Sequence, residues 1–193
     1  MPKRQAPPVN KIYQLKITLR DVRPPVWRRV LVTDATTLHQ LHWIVQVAMG
    51  WTNSHLHQFI IDGDYYSQKD FELDDWYQEV KNENRVRLSA LSLAPKRKFT
   101  YEYDFGDGWE HEILVEKVAV PEEGVHYPQC VAGKRACPPE DCGGTWGYEH
   151  FLEVIKDEND PEHEEMLEWA GGAFDPEAFD LEEVNQELKR IVR

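Results

Sequence analysis

From Ile12 the chain alternates. Tyr13, Leu15, Ile17 and Leu19 fall on one side of an extended segment, and Ile12, Gln14, Lys16 and Thr18 fall on the other, which predicts a strand. Arg23-Pro24-Pro25 breaks the run, because a proline pushes the residue before it into extended backbone. Val26 to Val32 then resumes, so the two runs form a hairpin-like unit. After an N-cap at Thr36 or Thr37, the residues Leu38, Leu41, His42, Ile44, Val45, Val47 and Ala48 recur at helical spacing until Gly50. This helix is expected to pack on the hairpin. His55 to Ile61 predicts a third strand that closes at the turn Asp62-Gly63-Asp64. The order strand, strand, helix, strand is β-grasp-like.

Residues 65–85 are polar and acidic around Phe71, Leu73, Trp76 and Tyr77 and read as an irregular excursion, while Leu88, Leu91 and Leu93 suggest a short turn or strand. A second hairpin follows. It runs from Lys98 to Phe105, turns at Gly106-Asp107-Gly108 and returns from Trp109 to Val118, with Trp109, His111, Ile113 and Val115 on one side. Residues 124–147 are rich in Gly, Pro and Cys without periodicity, so something other than pattern must hold them. Helices are predicted from Tyr148 to Lys156, from Pro161 through Met166, Leu167, Trp169 and Ala170, and from an N-cap at Asp180 through Leu181, Val184, Leu188 and Ile191. The expected architecture is α+β: a mixed β-sheet of two hairpin units with a packed helix and an acidic helical C-terminal part. Residues 1–10 are a frayed leader, and 11–193 form one domain. That domain divides into a sheet-and-helix core (11–120), a Cys/Pro/Gly-rich loop (121–147) and a helical part (148–193).

A chain of 193 residues can bury a core without disulfide staples. Its net charge of −13 is unevenly spread. Residues 1–35 carry eight Lys/Arg against two Asp, whereas residues 150–193 carry four against fourteen acids. Most of the surface should therefore repel phosphate backbones, which makes nucleic acid an unexpected partner. A nucleic-acid reading survives only for the basic first segment, around Lys11, Lys16, Arg20, Arg23, Arg28 and Arg29, which reads first as a solvated sheet face. No apolar run is long enough for a membrane span and Met1-Pro2-Lys3-Arg4-Gln5 is no signal peptide, so the expectation is a cytoplasmic protein without a membrane partner.

Candidate chemistry lies in three places. Cys130, Cys137 and Cys142 fall within thirteen residues, and thiolates on a flexible loop could converge on Zn²⁺, with His126 or His111 as a fourth ligand; buried reduced thiols are the plain alternative. On a strand, His55 and His57 would project from one face about 7 Å apart, close enough to share a metal or flank a small anion. The run Asp104-Phe105-Gly106-Asp107-Gly108-Trp109-Glu110-His111 suits a tight hairpin whose aspartates cap turn amides. It could also form a carboxylate and imidazole lip on a cleft, with Asp107 orienting His111 as a base. No Walker loop, dinucleotide fingerprint, nucleophile elbow or His-Glu-x-x-His motif is present.

Val26-Trp27-Arg28-Arg29, Met49-Gly50-Trp51 with Ser54-His55-Leu56-His57, Tyr103-Asp104-Phe105-Gly106-Asp107, and Cys137-Pro138-Pro139-Glu140-Asp141 with Gly143-Gly144 together carry a resemblance. From about Tyr13 to Phe174-Asp175-Pro176-Glu177 the chain resembles the plasmid pRiA open-reading-frame-three-like family, also labelled insertion-element passenger proteins of TnpR type. The resemblance implies a compact α+β domain and an association with mobile elements, and little about activity. The TnpR label suggests a resolvase, but the chain lacks a serine-recombinase pattern. The leading expectation is an interaction or ligand-binding module for a protein or small molecule, metal-stabilised if the thiols ligate zinc. A metal-dependent hydrolase using His55, His57 and His111 with Asp104 or Asp107 is one alternative. An accessory DNA-binding protein is the other.

Overall fold

The computed structural model describes residues 9–68 and 80–191. The start of the leader and the apolar residues Phe71, Leu73, Trp76 and Tyr77 lie outside them. One eight-stranded sheet runs through the described residues in the order β5 (Val80–Asn82), β4 (Asp64–Ser67), β3 (His57–Ile61), β6 (Lys98–Tyr103), β7 (Trp109–Ala119), β1 (Ile12–Leu19), β2 (Trp27–Thr33) and β8 (Gln129–Lys134). The two expected hairpins are its centre: β1 (Ile12–Leu19) pairs with β2 (Trp27–Thr33), and β6 (Lys98–Tyr103) pairs with β7 (Trp109–Ala119), all antiparallel. β7 also pairs with β1, which fuses the hairpins, while β3 (His57–Ile61) lies between β6 and β4 (Asp64–Ser67). The sheet is mixed because β5 (Val80–Asn82) runs parallel to β4. The fold is α+β.

Burial alternates along the central strands with period two, so one face of the sheet is covered and the other is open. Tyr13, Leu15, Ile17 and Leu19 of β1 share the covered face with Val30 and Val32, Phe59 and Ile61, Phe99 and Tyr101, and Ile113 and Val115. The helix α1 (Leu38–Met49) closes over that face with Leu38, Leu41, Ile44, Val45 and Ala48, each nearly or fully buried. Its ends follow the sequence. Thr37 and Gln40 form a capping box, worth about 1 kcal/mol, and Gly50 takes the left-handed conformation that ends the helix at φ 93°. On the open face two basic residues of the first hairpin meet acids of β7. Arg29 bonds to both carboxylate oxygens of Glu116, and Arg20 pairs with Glu110.

The loop read as irregular contains a strand that the sequence reading missed: β8 (Gln129–Lys134), antiparallel to β2. It has no alternating pattern because only Cys130 is fully buried along it. Polar side chains hold this edge. Arg28, 2% exposed, donates to the carbonyls of Ala48, Trp27, Lys134 and Arg135 and lies 4.4 Å from the ring centroid of Phe179. Asn185 accepts from the Cys130 amide at 2.9 Å and donates to the Cys130 carbonyl at 2.8 Å, doing the work of a neighbouring strand. Beyond it come α2 (Gly144–Lys156), which begins earlier than predicted, α3 (His163–Trp169) and α4 (Leu181–Ile191). α4 packs on β8 and α1. No helix among the described residues is long and apolar enough to cross a membrane.

Candidate functional site

Three segments distant in sequence meet at the imidazole of His55. The first is the connection from α1 to β3, where Asn53 adopts φ 57°, a conformation asparagine tolerates, and turns His55 away from the strand that begins at His57. The second is the end of β6, where Asp104 caps the hairpin turn. Its Oδ1 accepts from the amides of Gly106 at 3.0 Å and Asp107 at 3.3 Å, which leaves Oδ2 facing His55. The third is Pro138-Pro139-Glu140-Asp141, held where the indole of Trp51 donates to the Pro138 carbonyl at 2.9 Å. Glu140 Oε1 accepts from the Thr52 amide at 2.8 Å and from the Tyr103 hydroxyl at 3.1 Å. Burial, and then the nearby Glu140 carboxylate, hold the Tyr103 hydroxyl well above its usual range, so it stays a donor.

The result is an imidazole nitrogen facing three carboxylates. His55 Nε2 lies 3.1 Å from Asp141 Oδ1, 3.6 Å from Asp104 Oδ2 and 3.7 Å from Glu140 Oε2. That nitrogen is buried, yet it makes no hydrogen bond of acceptable geometry. Donor atoms of His55, Asp104 and Asp141 all lie within 4.8 Å of one another. Ligands at 2.0–2.2 Å from a tetrahedral or octahedral ion are themselves separated by about 2.8–3.6 Å, and the distances from His55 Nε2 to Asp141 and Asp104, 3.1 and 3.6 Å, fall in that range. Asp104 is 6% exposed, whereas the Asp141 side chain is 69% exposed, so the cluster has a buried wall and an open one.

A cleft of about 370 Å³ shares His55 with the cluster and is also lined by Asn53, Ser54, Leu56, His57, Ser67 and Gln68. Behind the cleft is a network buried under α1. His57 Nε2 pairs with Glu83 Oε2 at 2.8 Å, and the other oxygen of Glu83, fully buried, meets His39 Nδ1 at 2.8 Å. The His57 ring stacks on His42 with centroids 3.5 Å apart and planes 8° from parallel. Burial, then the neighbouring His57, push the His42 imidazole down to about 2, so it is neutral with one N–H. That N–H is at Nε2, donating to Asn53 Oδ1 at 2.9 Å, and Nδ1 accepts from the Tyr101 hydroxyl at 2.8 Å. The sequence reading took His42 as one position of an apolar helix face and did not single out His39, Glu83, Glu140 or Asp141 as site residues. Glu140 and Asp141 were visible only as members of a motif. Glu83 carried no local signal.

The structure separates the other predicted site residues. His55 and His57 both line the cleft, but they do not share one strand face: His55 reaches the carboxylates and His57 reaches Glu83. His111 does not form a lip. It is fully buried, packed edge-on against Trp51 with Nδ1 3.3 Å from the Tyr101 carbonyl, and burial pushes it down to about 3. Asp107 does not orient it. Its Oδ2 accepts from the Gly143 amide at 3.1 Å and ties the hairpin turn to the start of α2. Trp109 is core, 1% exposed, and presents no ligand surface. No three of Cys130, Cys137, Cys142 and His126 come close enough to form one ligand group. Cys130 is buried on β8 and His126 is exposed beside α4. Burial raises the Cys137 and Cys130 thiols, and pushes Cys142 up to about 12. The loop is thus held by Arg28, Asn185, Trp51 and Asp107 rather than by sulfur.

Comparison with known proteins gives the same outline. Residues 11–183 match the model of the plasmid pRiA4b ORF-3-like protein family. An uncharacterized protein, y4hQ, of Sinorhizobium fredii (strain NBRC 101917 / NGR234) is 39% identical over 180 residues, covering 92% of this chain and 91% of its own length. The crystal structure of a protein of unknown function, MM3350, from Methanosarcina mazei Go1 superposes with a TM-score of 0.81 at 37% identity, over 91% of this chain and 98% of that one. With the family match spanning residues 11–183 and a relative 39% identical across 92% of this sequence, the chain belongs to the plasmid pRiA4b ORF-3-like protein family.

Proposed function

We propose that the chain is a cation-dependent ligand-binding module. One divalent ion is held by His55 Nε2, Asp104 Oδ2 and Asp141 Oδ1, with Glu140 as a fourth donor. The observation that carries the reading is the buried, unbonded His55 nitrogen, with three carboxylate oxygens 3.1–3.7 Å away. Without an ion, a buried imidazole nitrogen loses its hydrogen bonds to water and gains none in return. One imidazole and several carboxylates form a nitrogen and oxygen donor set, which suits Mn²⁺, Fe²⁺ or Zn²⁺ better than softer, thiolate-seeking ions. Zinc at the cysteines loses support because no three of Cys130, Cys137, Cys142 and His126 come close enough to form one ligand group.

The hydrolase alternative needs the same ion, but it loses His111, which is buried away from any cleft water. The accessory DNA-binding alternative is weakened because Arg20 and Arg29 are engaged by Glu110 and Glu116 and Arg28 is buried. The association with mobile elements rests on family resemblance and assigns no role to any residue.

The test is isothermal titration of the full chain with MnCl₂ and with ZnCl₂. Wild type is expected to take up one ion per chain. Asp104→Asn keeps the Oδ1 acceptor that caps the turn, so it should fold, and it should bind the ion at least about tenfold more weakly, a loss of about 1.4 kcal/mol or more. Cys137→Ser should bind as wild type does. Undiminished binding by Asp104→Asn, or loss of the ion in Cys137→Ser, would overturn the assignment.

A further inference from the structure

Asp141, the exposed carboxylate of the His55 cluster, also lines a pocket of about 280 Å³ where α2 meets α3. Gly147, His150 and Phe151 recur on α2 at spacings of three and four residues, which places them on one face of that helix. Phe151 is buried, and the half-exposed indole of Trp169 meets it edge to face with ring centroids 5.8 Å apart. On α3, Glu165 stands one helical turn before Trp169, so its exposed carboxylate and the indole share one face, with Met166 beside them. The His150 imidazole, exposed on the α2 side, lies 3.4 Å from Glu162.

The lining thus combines an aromatic and thioether wall with two exposed carboxylates, Asp141 and Glu165. That pairing suits a long cationic side chain, whose methylenes lie along Phe151, Met166 and Trp169 while the charged head meets a carboxylate over the indole face. A volume of about 280 Å³ falls just below the range of about 300–1,000 Å³ usual for small-molecule clefts, and fits one such side chain.

The surroundings extend the same chemistry. Residues 144–172 carry nine acids against the single cation Lys156. Trp146, one turn before His150 on α2, is 83% exposed. A tryptophan held in water within an acidic surface is the kind of anchor that a partner of opposite charge covers.

We propose that this face of α2 and α3 docks a basic segment of a partner protein, one arginine or lysine side chain of which enters the pocket. The docking face goes beyond the ion site and does not depend on it, since Glu165 and Trp169 are not among the ion's donors.

The experiment is fluorescence anisotropy of a fluorescein-labelled hexa-arginine peptide titrated with the full chain, in EDTA and about 0.1 M NaCl. Saturable binding is expected. Glu165→Gln should weaken it at least about threefold. Trp169→Leu, which keeps apolar bulk and removes the π face, should also weaken it at least about threefold. Both side chains are exposed, so both variants should fold. Glu123→Gln, which removes an equal charge from the exposed loop before β8, should bind as wild type does. Free arginine amide should displace the peptide only at about a hundredfold higher concentration or more. Absence of binding, undiminished binding by Glu165→Gln or Trp169→Leu, an equal loss in Glu123→Gln, or displacement by less arginine amide than that overturns the proposal. Each of these results leaves the ion site standing.

Discussion

His42 and His111 are the two imidazoles that the fold keeps neutral by burial, at about 2 and about 3 respectively. In the unfolded chain each titrates near 6.5, so between that value and its folded one the unfolded state binds one more proton than the native state. Stability from these groups is therefore fully present above about pH 6.5 and lost as pH falls toward the folded values. Each histidine contributes a slope approaching about 1.4 kcal/mol per pH unit. Between pH 6 and 5 these two histidines should contribute about two protons to the slope, measured by urea unfolding at a series of pH values. His111→Phe removes a buried nitrogen that has no partner. It should cost less than about 1.5 kcal/mol at pH 7 and reduce the slope by about one proton. An unchanged slope would mean that His111 is not protonated on unfolding as described.

At the scale of elements, the decisive contacts join segments remote in sequence, and this explains which parts could be read in advance. α1 was legible because its period, its Thr37 cap and its Gly50 stop are all local. β1, β2, β6 and β7 were legible because one open face makes them alternate. β8 was not, since it is a strand only because β2 and Asn185 offer hydrogen-bond partners on either side. Among site residues, His55 and Asp104 stood out by type, but their meeting with Glu140 and Asp141 depends on Trp51 holding Pro138. The start of α2 shows how tight this junction is. A Cβ on Gly147 would stand 1.8 Å from the Cys142 carbonyl oxygen, and one on Gly144 would stand 2.6 Å from the Asp107 carbonyl oxygen. Gly147→Ala is expected to cost about 3 kcal/mol in chemical unfolding and to weaken ion binding by displacing Asp141. Full stability with normal ion binding would show that the junction does not set the site.

Across the whole molecule, the net charge of −13 is organised rather than diffuse. The basic first strands are answered by glutamates of β7 on the open face, and the acids concentrate in the helical C-terminal part and at the rim of the His55 cluster. That field would attract a divalent cation and exclude polyanions, which agrees with the proposed module, whose ion would join the α1–β3 connection, the β6–β7 turn and the segment before α2. The most direct measurement is anomalous diffraction from crystals of the full chain grown with MnCl₂ or ZnCl₂. The account predicts one strong peak bonded to His55 Nε2, Asp104 and Asp141, at about 2.0–2.2 Å. A peak at Cys130, Cys137 or Cys142, or no peak at His55 in crystals soaked to saturation, would contradict it.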